Sequence, residues 1–122
     1  MTPKSMTGTL KIIQSRVNNY FNLHMNAVLL NLYEYGQHSN GWHADDEKEL
    51  GQNPTIISIS FGAVRKFKIK HKTIPEKYDI MLENGSLLVM EGAFQHYWKH
   101  TLPKTAQKVG PRINLTFRTL KS

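Results

Sequence analysis

On an extended backbone His43 and Asp45 project to the same side of the chain, with Ala44 pointing the other way. An imidazole and a carboxylate so placed can grip one divalent cation. A second His from a distant strand would complete the facial triad of a non-haem Fe(II) site. The segment Gln95-His96-Tyr97-Trp98-Lys99-His100 reads as a strand and offers His96 and His100 on one parity, so spacing leaves both open. A lone His-x-Asp is more often a surface hydrogen bond than a ligand pair, so a second constellation is needed.

That constellation is Arg112-Ile113-Asn114-Leu115-Thr116-Phe117-Arg118, which alternates without a break. Arg112, Asn114, Thr116 and Arg118 share one face, and the apolar residues share the other. In an ordinary half-buried strand the polar face meets water. Inside a small barrel it points into the cavity, where two arginines with an amide and a hydroxyl between them suit a small dicarboxylate. Asn31 and Tyr33, also same-face neighbours, supply further donors. A basic run spans Arg65, Lys66, Lys68, Lys70 and Lys72, with the four lysines on one parity and Phe67 and Ile69 on the other. Two readings of this stripe stand side by side: a charged edge strand that resists pairing, and a phosphate-facing surface.

These residues need strands to position them. Leu10, Ile13, Val17, Tyr20 and Phe21 recur at helical spacing, which predicts one amphipathic helix. The period then changes to two, with strand-length stretches at 27–33, 55–61, 64–69, 78–82, 86–90 and 113–119. Asn84-Gly85 is a strong hairpin signal, and Gly36, Gly41, Gly51, Pro75, Gly92, Pro103 and Gly110-Pro111 punctuate the rest. Short strands at this density predict a sandwich or barrel.

Composition narrows the classes. The 122 residues make about one domain, and the absence of Cys excludes disulfides, Cys-ligated zinc and iron–sulfur clusters. No apolar stretch comes near the ~18 residues of a membrane span, so the expectation is a soluble, intracellular protein with no membrane partner; a monomer is expected as well. Sixteen Lys and Arg against nine Asp and Glu leave a net charge of +7, which favours a polyanionic partner such as nucleic acid.

The chain resembles the catalytic core of the AlkB-type Fe(II)/2-oxoglutarate-dependent nucleic-acid dealkylases, in their DNA-repair branch. The matching pieces, in the family's order, are Asn31-Leu32-Tyr33, His43-Ala44-Asp45-Asp46-Glu47, Ser58-Ile59-Ser60-Phe61-Gly62, Asn84-Gly85-Ser86-Leu87-Leu88, His100-Thr101-Leu102-Pro103 and the segment from Arg112 to Arg118. The resemblance implies a mainly β fold with one N-terminal helix, a double-stranded β-helix or jelly-roll barrel. It implies His43, Asp45 and His100 as the Fe(II) ligands and catalytic centre, and thereby favours His100 over His96. Arg112 and Tyr33 would hold the distal carboxylate of 2-oxoglutarate, Arg118 and Asn31 its iron-side end, with Asn114 and Thr116 in support. Dioxygen is the third reactant, and the implied reaction removes N-alkyl groups from damaged DNA bases with release of formaldehyde and succinate.

Asp46 and Glu47 would lie beside the base, where a carboxylate favours a cationic methylated adenine or cytosine. Arg65 and the lysines at 66, 68, 70 and 72 become phosphate contacts on this reading. The family carries a lid-forming segment with an aromatic before the first helix, whereas nine residues without an aromatic precede Leu10 here. The expectation is therefore one core, residues 1–122, either truncated at its N-terminus, the favoured reading, or a minimal relative that handles accessible, single-stranded substrate, nuclear in a eukaryote and cytoplasmic otherwise. Two alternatives are an RNA demethylase of the same family and a non-catalytic nucleic-acid-binding barrel. An oxygenase acting on protein side chains would leave the positive charge and the Asp46–Glu47 pair without a purpose.

Overall fold

A computed structural model describes residues 8–45, 50–51 and 53–120. Helix α1 spans Gly8–Phe21 and turns its Leu10, Ile13, Val17 and Phe21 stripe toward a sheet. Asn22 ends it in the left-handed conformation, at φ 54°. The Asn18 side chain then clamps the exit from both sides, accepting from the Met25 N–H at 2.8 Å and donating to the Met25 carbonyl at 3.0 Å. This directs the chain into the first strand.

Eight strands follow: β1 (Ala27–Tyr33), β2 (Asn40–His43), β3 (Ile56–Gly62), β4 (Arg65–His71), β5 (Lys77–Leu82), β6 (Leu87–Met90), β7 (Trp98–Leu102) and β8 (Arg112–Arg118). They form two four-stranded antiparallel sheets, ordered β1-β8-β3-β6 and β2-β7-β4-β5. The mainly β jelly-roll expectation is met. Among the described residues the strands make two facing sheets rather than one closed ring.

Two apolar clusters hold these layers. Between the sheets lie Tyr33, Ile56, Phe67, Leu82, Met90 and Leu102. On the outside of the first sheet, Ile57, Ile59, Leu115 and Phe117 pack under α1 with Val17 and Met25. Burial of this kind contributes about 25 cal/mol per Å2 of apolar surface, so each large side chain counts. On the same outer face, Leu32, Ile113 and Phe61 align across β1, β8 and β3 and remain exposed.

One element departs from the sequence expectation. Gln95 to Tyr97 are not strand: Phe94–Tyr97 form a single helical turn, α2, before β7 begins at Trp98. Gly92, at φ +62°, turns the chain beforehand, and the N–H groups of His96 and Tyr97 both donate to the Ala93 carbonyl. The period-two parity between His96 and His100 therefore does not exist in space. At the end of β3, Gly62 has φ +99°, and a Cβ there would fall on the Pro111 carbonyl oxygen. Only glycine lets β3 and β8 close together beside Arg112.

Candidate metal and co-substrate site

The register of the first sheet determines which side chains meet. Tyr33, Arg112 and Gly62 are opposite one another, as are Asn31, Asn114 and Ser60, then Leu29, Thr116 and Ser58. All three rows face inward, against Phe67, Leu82, His100 and Leu102 of the second sheet, around a cavity of about 500 Å3. The polar face of β8 is thus interior, as the barrel reading expected. Arg112, Asn114, Thr116 and Arg118 are all buried.

At one end of this cavity His43, Asp45 and His100 bring a ligand atom each to within 4.8 Å of one another. The pairing of β2 with β7 sets His43 opposite His100, with ring centroids 4.2 Å apart. His43 Nδ1 lies 2.7 Å from the Gly41 carbonyl. As that carbonyl can only accept, Nδ1 carries the proton and Nε2 keeps its lone pair for a metal. His100 is buried against Phe67 and Phe94, and its Nδ1 has no hydrogen-bond partner. Its Nε2 faces Asp45 Oδ2 across 3.5 Å, too far for a good bond and near enough for both to bind one cation. Burial alone would raise the Asp45 carboxyl, but His100 and the Arg118 guanidinium beside it outweigh burial and hold it below the usual Asp range. The carboxylate is kept charged, as a ligand must be.

Arg118 Nη2 donates to Asp45 Oδ1 at 3.0 Å, joining the end of β8 to the ligand cluster. Arg112 lies on the same wall. It is 2% exposed, forms no ion pair among the described residues, and its Nε has no partner. Its Nη2 donates to Ser60 Oγ at 2.7 Å, and its guanidinium lies 5.5 Å from the centre of the Tyr33 ring. Burial pulls the Arg112 pKa below the usual Arg value and pushes the Tyr33 hydroxyl up, the nearby cations offsetting part of the latter. A buried cation without a carboxylate is costly, and an anionic ligand relieves that cost. Asn114 donates to Ser58 Oγ at 2.7 Å and accepts from Thr116 Oγ1 at 2.7 Å, a chain that stiffens the wall.

Several expected contacts fall elsewhere. Asp46 and Glu47 lie outside the described residues. Arg65 is not a phosphate contact: it is 3% exposed, and its Nη2 donates to the carbonyls of His38 and Pro103, both at 2.8 Å. Lys66, Lys68 and Lys70 alternate with cavity-facing Phe67, so they lie on the outside of the second sheet. Lys99 and Lys77 pair with Lys70 and join them there. Lys72 follows β4 and donates to the Gln95 carbonyl at 3.2 Å. Ser58, Ser60 and Gln95 are site residues that sequence reasoning passed over. The serines had a signal, since Ile57-Ser58-Ile59-Ser60 alternates in step with β8; Gln95 had none.

Two facing antiparallel sheets enclose a His–Asp–His cluster, in which Asp45 and His100 are buried and His43 half-buried, and a pair of buried arginines, the arrangement of a jelly-roll protein with a candidate metal site. The chain belongs to the 2OG-Fe(II) oxygenase superfamily, whose family model matches residues 2–118, and the superfamily works with Fe(II), 2-oxoglutarate and dioxygen. It is 41% identical over 120 residues to the human alpha-ketoglutarate-dependent dioxygenase alkB homolog 3, covering 91% of this chain and 42% of that protein. It is 37% identical over 128 residues to the DNA oxidative demethylase ALKBH2 of Bos taurus, covering 98% of this chain and 46% of that one. The chain thus spans less than half the length of these curated relatives. The structure of OsALKBH1 superposes with a TM-score of 0.70 at 20% identity, over 97% of this chain and 66% of that one, which bears on the fold. No described helix is long and apolar enough to cross a membrane.

Proposed function

We propose that residues 1–122 are one core of an Fe(II)/2-oxoglutarate-dependent dioxygenase that removes N-alkyl groups from damaged bases in DNA. The observation that carries this reading is the His43, Asp45 and His100 cluster, with Asp45 and His100 buried, lining one cavity with Arg112, a buried cation with no carboxylate partner among the described residues. The donor set fits the metal: two imidazoles and one carboxylate suit Fe(II) and leave coordination positions open. When bound, Fe(II) supplies oxidation by dioxygen coupled to decarboxylation of 2-oxoglutarate, so that an N-methyl group becomes N-hydroxymethyl and leaves as formaldehyde, with succinate and carbon dioxide as the other products.

The chain's own residues set the geometry. Arg112 offers charged N–H donors to the distal carboxylate of the co-substrate, with the Tyr33 hydroxyl beside it. Arg118 and Asn31 serve the other end, where Arg118 already neutralises Asp45. Asn114 and Thr116 keep the wall in register through Ser58. Asp46 and Glu47 select a cationic alkylated base. The lysines at 66, 68, 70 and 72 hold the phosphate backbone, a role supported by the +7 net charge. DNA as substrate rests on the name of the ALKBH2 relative and on the resemblance of the His-x-Asp-Asp-Glu segment.

The test is turnover of a methylated single-stranded DNA oligonucleotide with Fe(II) and 2-oxoglutarate, a methylated RNA being run in parallel. Formaldehyde equal to succinate, both lost in His43→Ala, is the expected result. Succinate without formaldehyde from either strand overturns the dealkylase reading, and absence of both overturns the oxygenase reading. Faster turnover of the RNA reassigns the substrate.

A further inference from the structure

Asp45 has a structural problem that its two partner ligands do not share. His43 is the last residue of β2 and His100 lies within β7, so ladder pairing holds both backbones. Asp45 lies two residues past the end of β2, where no strand neighbour is available to its N–H. A ligand at a strand end has an uncertain position unless something else holds it, and metal sites require ligand placement to within a few tenths of an ångström.

Gln95 meets this need from fifty residues away. Its Oε1 accepts from the Asp45 N–H at 2.7 Å, in the interior. The residue is 1% exposed, among the most deeply buried polar side chains of the molecule. Its Nε2 is directed to Met90 Sδ at 3.7 Å, and its own carbonyl accepts from Lys72 Nζ at 3.2 Å, so both side chain and backbone are tied down. Gln95 belongs to α2, which runs directly into β7 and His100. One side chain therefore links the segment carrying Asp45 to the segment carrying His100.

We propose that Gln95 is a positioning residue for the metal site, its amide oxygen holding the Asp45 backbone so that the carboxylate meets His43 and His100 in one geometry. The inference rests on the reading of these three residues as metal ligands. Removing the acceptor leaves a buried N–H unpaired and releases Asp45 from α2, and such supporting contacts typically alter metal affinity 10- to 100-fold.

The experiment is a Mn(II) titration of the whole chain followed by electron paramagnetic resonance, without co-substrate or turnover. Wild type, His43→Ala, Gln95→Met and Gln95→Glu are compared. Gln95→Met is expected to weaken Mn(II) about 10- to 100-fold at nearly unchanged metal-free Tm, and Gln95→Glu, which keeps an oxygen acceptor, to recover most of the loss. Equal binding by wild type and Gln95→Met overturns the proposal while leaving the metal site intact, and so does equal weakening in both Gln95 variants. Failure of wild type to bind Mn(II) better than His43→Ala overturns the metal site and this inference with it. If Gln95→Met does not fold, amide exchange decides on the wild type: protection of the Asp45 N–H comparable to β7 supports the contact, and fast exchange overturns it.

Discussion

Arg112 carries a desolvation cost in the cavity wall. Its guanidinium is buried with Ser60 Oγ and the face of Tyr33 for company, and no carboxylate among the described residues neutralises it. The protein bears that desolvation, and on the proposed function a dicarboxylate entering the cavity would relieve it. Arg112→Met therefore has two opposite consequences. The ligand-free Tm should stay the same or rise, because an uncompensated buried charge is replaced by a flexible apolar side chain of similar reach. Affinity for 2-oxoglutarate in the presence of Mn(II) should fall by on the order of 100-fold, the loss of two charge-assisted hydrogen bonds. Calorimetric titration together with a melting curve measures both. A variant that loses stability and binds normally would show Arg112 to be a structural bolt. The interior placement of Arg112, though not its role, was readable from the chain because Arg-x-Asn-x-Thr-x-Arg repeats at the strand period after the Gly110-Pro111 turn.

Elements explain where the sequence was readable and where it was not. Strand β1 is expected at its observed limits, 27–33, and β8 one residue late, because β1 is a seven-residue run apolar but for Asn31 and Tyr33 and β8 alternates strictly over seven residues. The turn α2 was missed because four residues of helix occupy barely more than one period, and Gln95 and His96 carry no apolar pattern that distinguishes a turn from a strand. Arg65 was grouped with the lysines by charge although parity sets it with Phe67, on the inner face. Its real task is to join three elements. Its Nη2 donates to the carbonyls of His38, between β1 and β2, and of Pro103, after β7, holding both connections onto β4. Arg65→Met should leave these part-buried carbonyls without their donor and cost about 2–4 kcal/mol, read as a lower urea midpoint at unchanged slope. Lys66→Met, one residue along and exposed, should shift the midpoint by less than about 0.5 kcal/mol. Equal effects at both positions would mean that Arg65 does not anchor those loops.

At the scale of the molecule the two faces of the second sheet divide the work. Phe67, Leu82 and His100 line the cavity from one face, while Lys66, Lys68, Lys70, Lys77 and Lys99 crowd the other. Asp79, 3.9 Å from both Lys66 and Lys68, is their nearest counter-charge, and such an exposed contact is worth little. Trp42 stands on the same outer face, 43% exposed, with Lys70 Nζ 4.2 Å from its ring centre. A flat array of cations beside an aromatic surface suits a flexible polyanion whose phosphates meet Lys and whose bases stack. Because these side chains point away from the ligand cluster, they should govern affinity for a strand without touching the chemistry. Replacing Lys66, Lys68 and Lys70 by Ala should lower affinity for single-stranded DNA equally across sequences and flatten the dependence of log K on log salt by about 2, at ~0.7 per lost phosphate contact. The Mn(II) and 2-oxoglutarate affinities should not change. Fluorescence anisotropy at several salt concentrations measures the slope, and a slope equal to that of the wild type would move the nucleic acid off this sheet and onto the rim of the cavity.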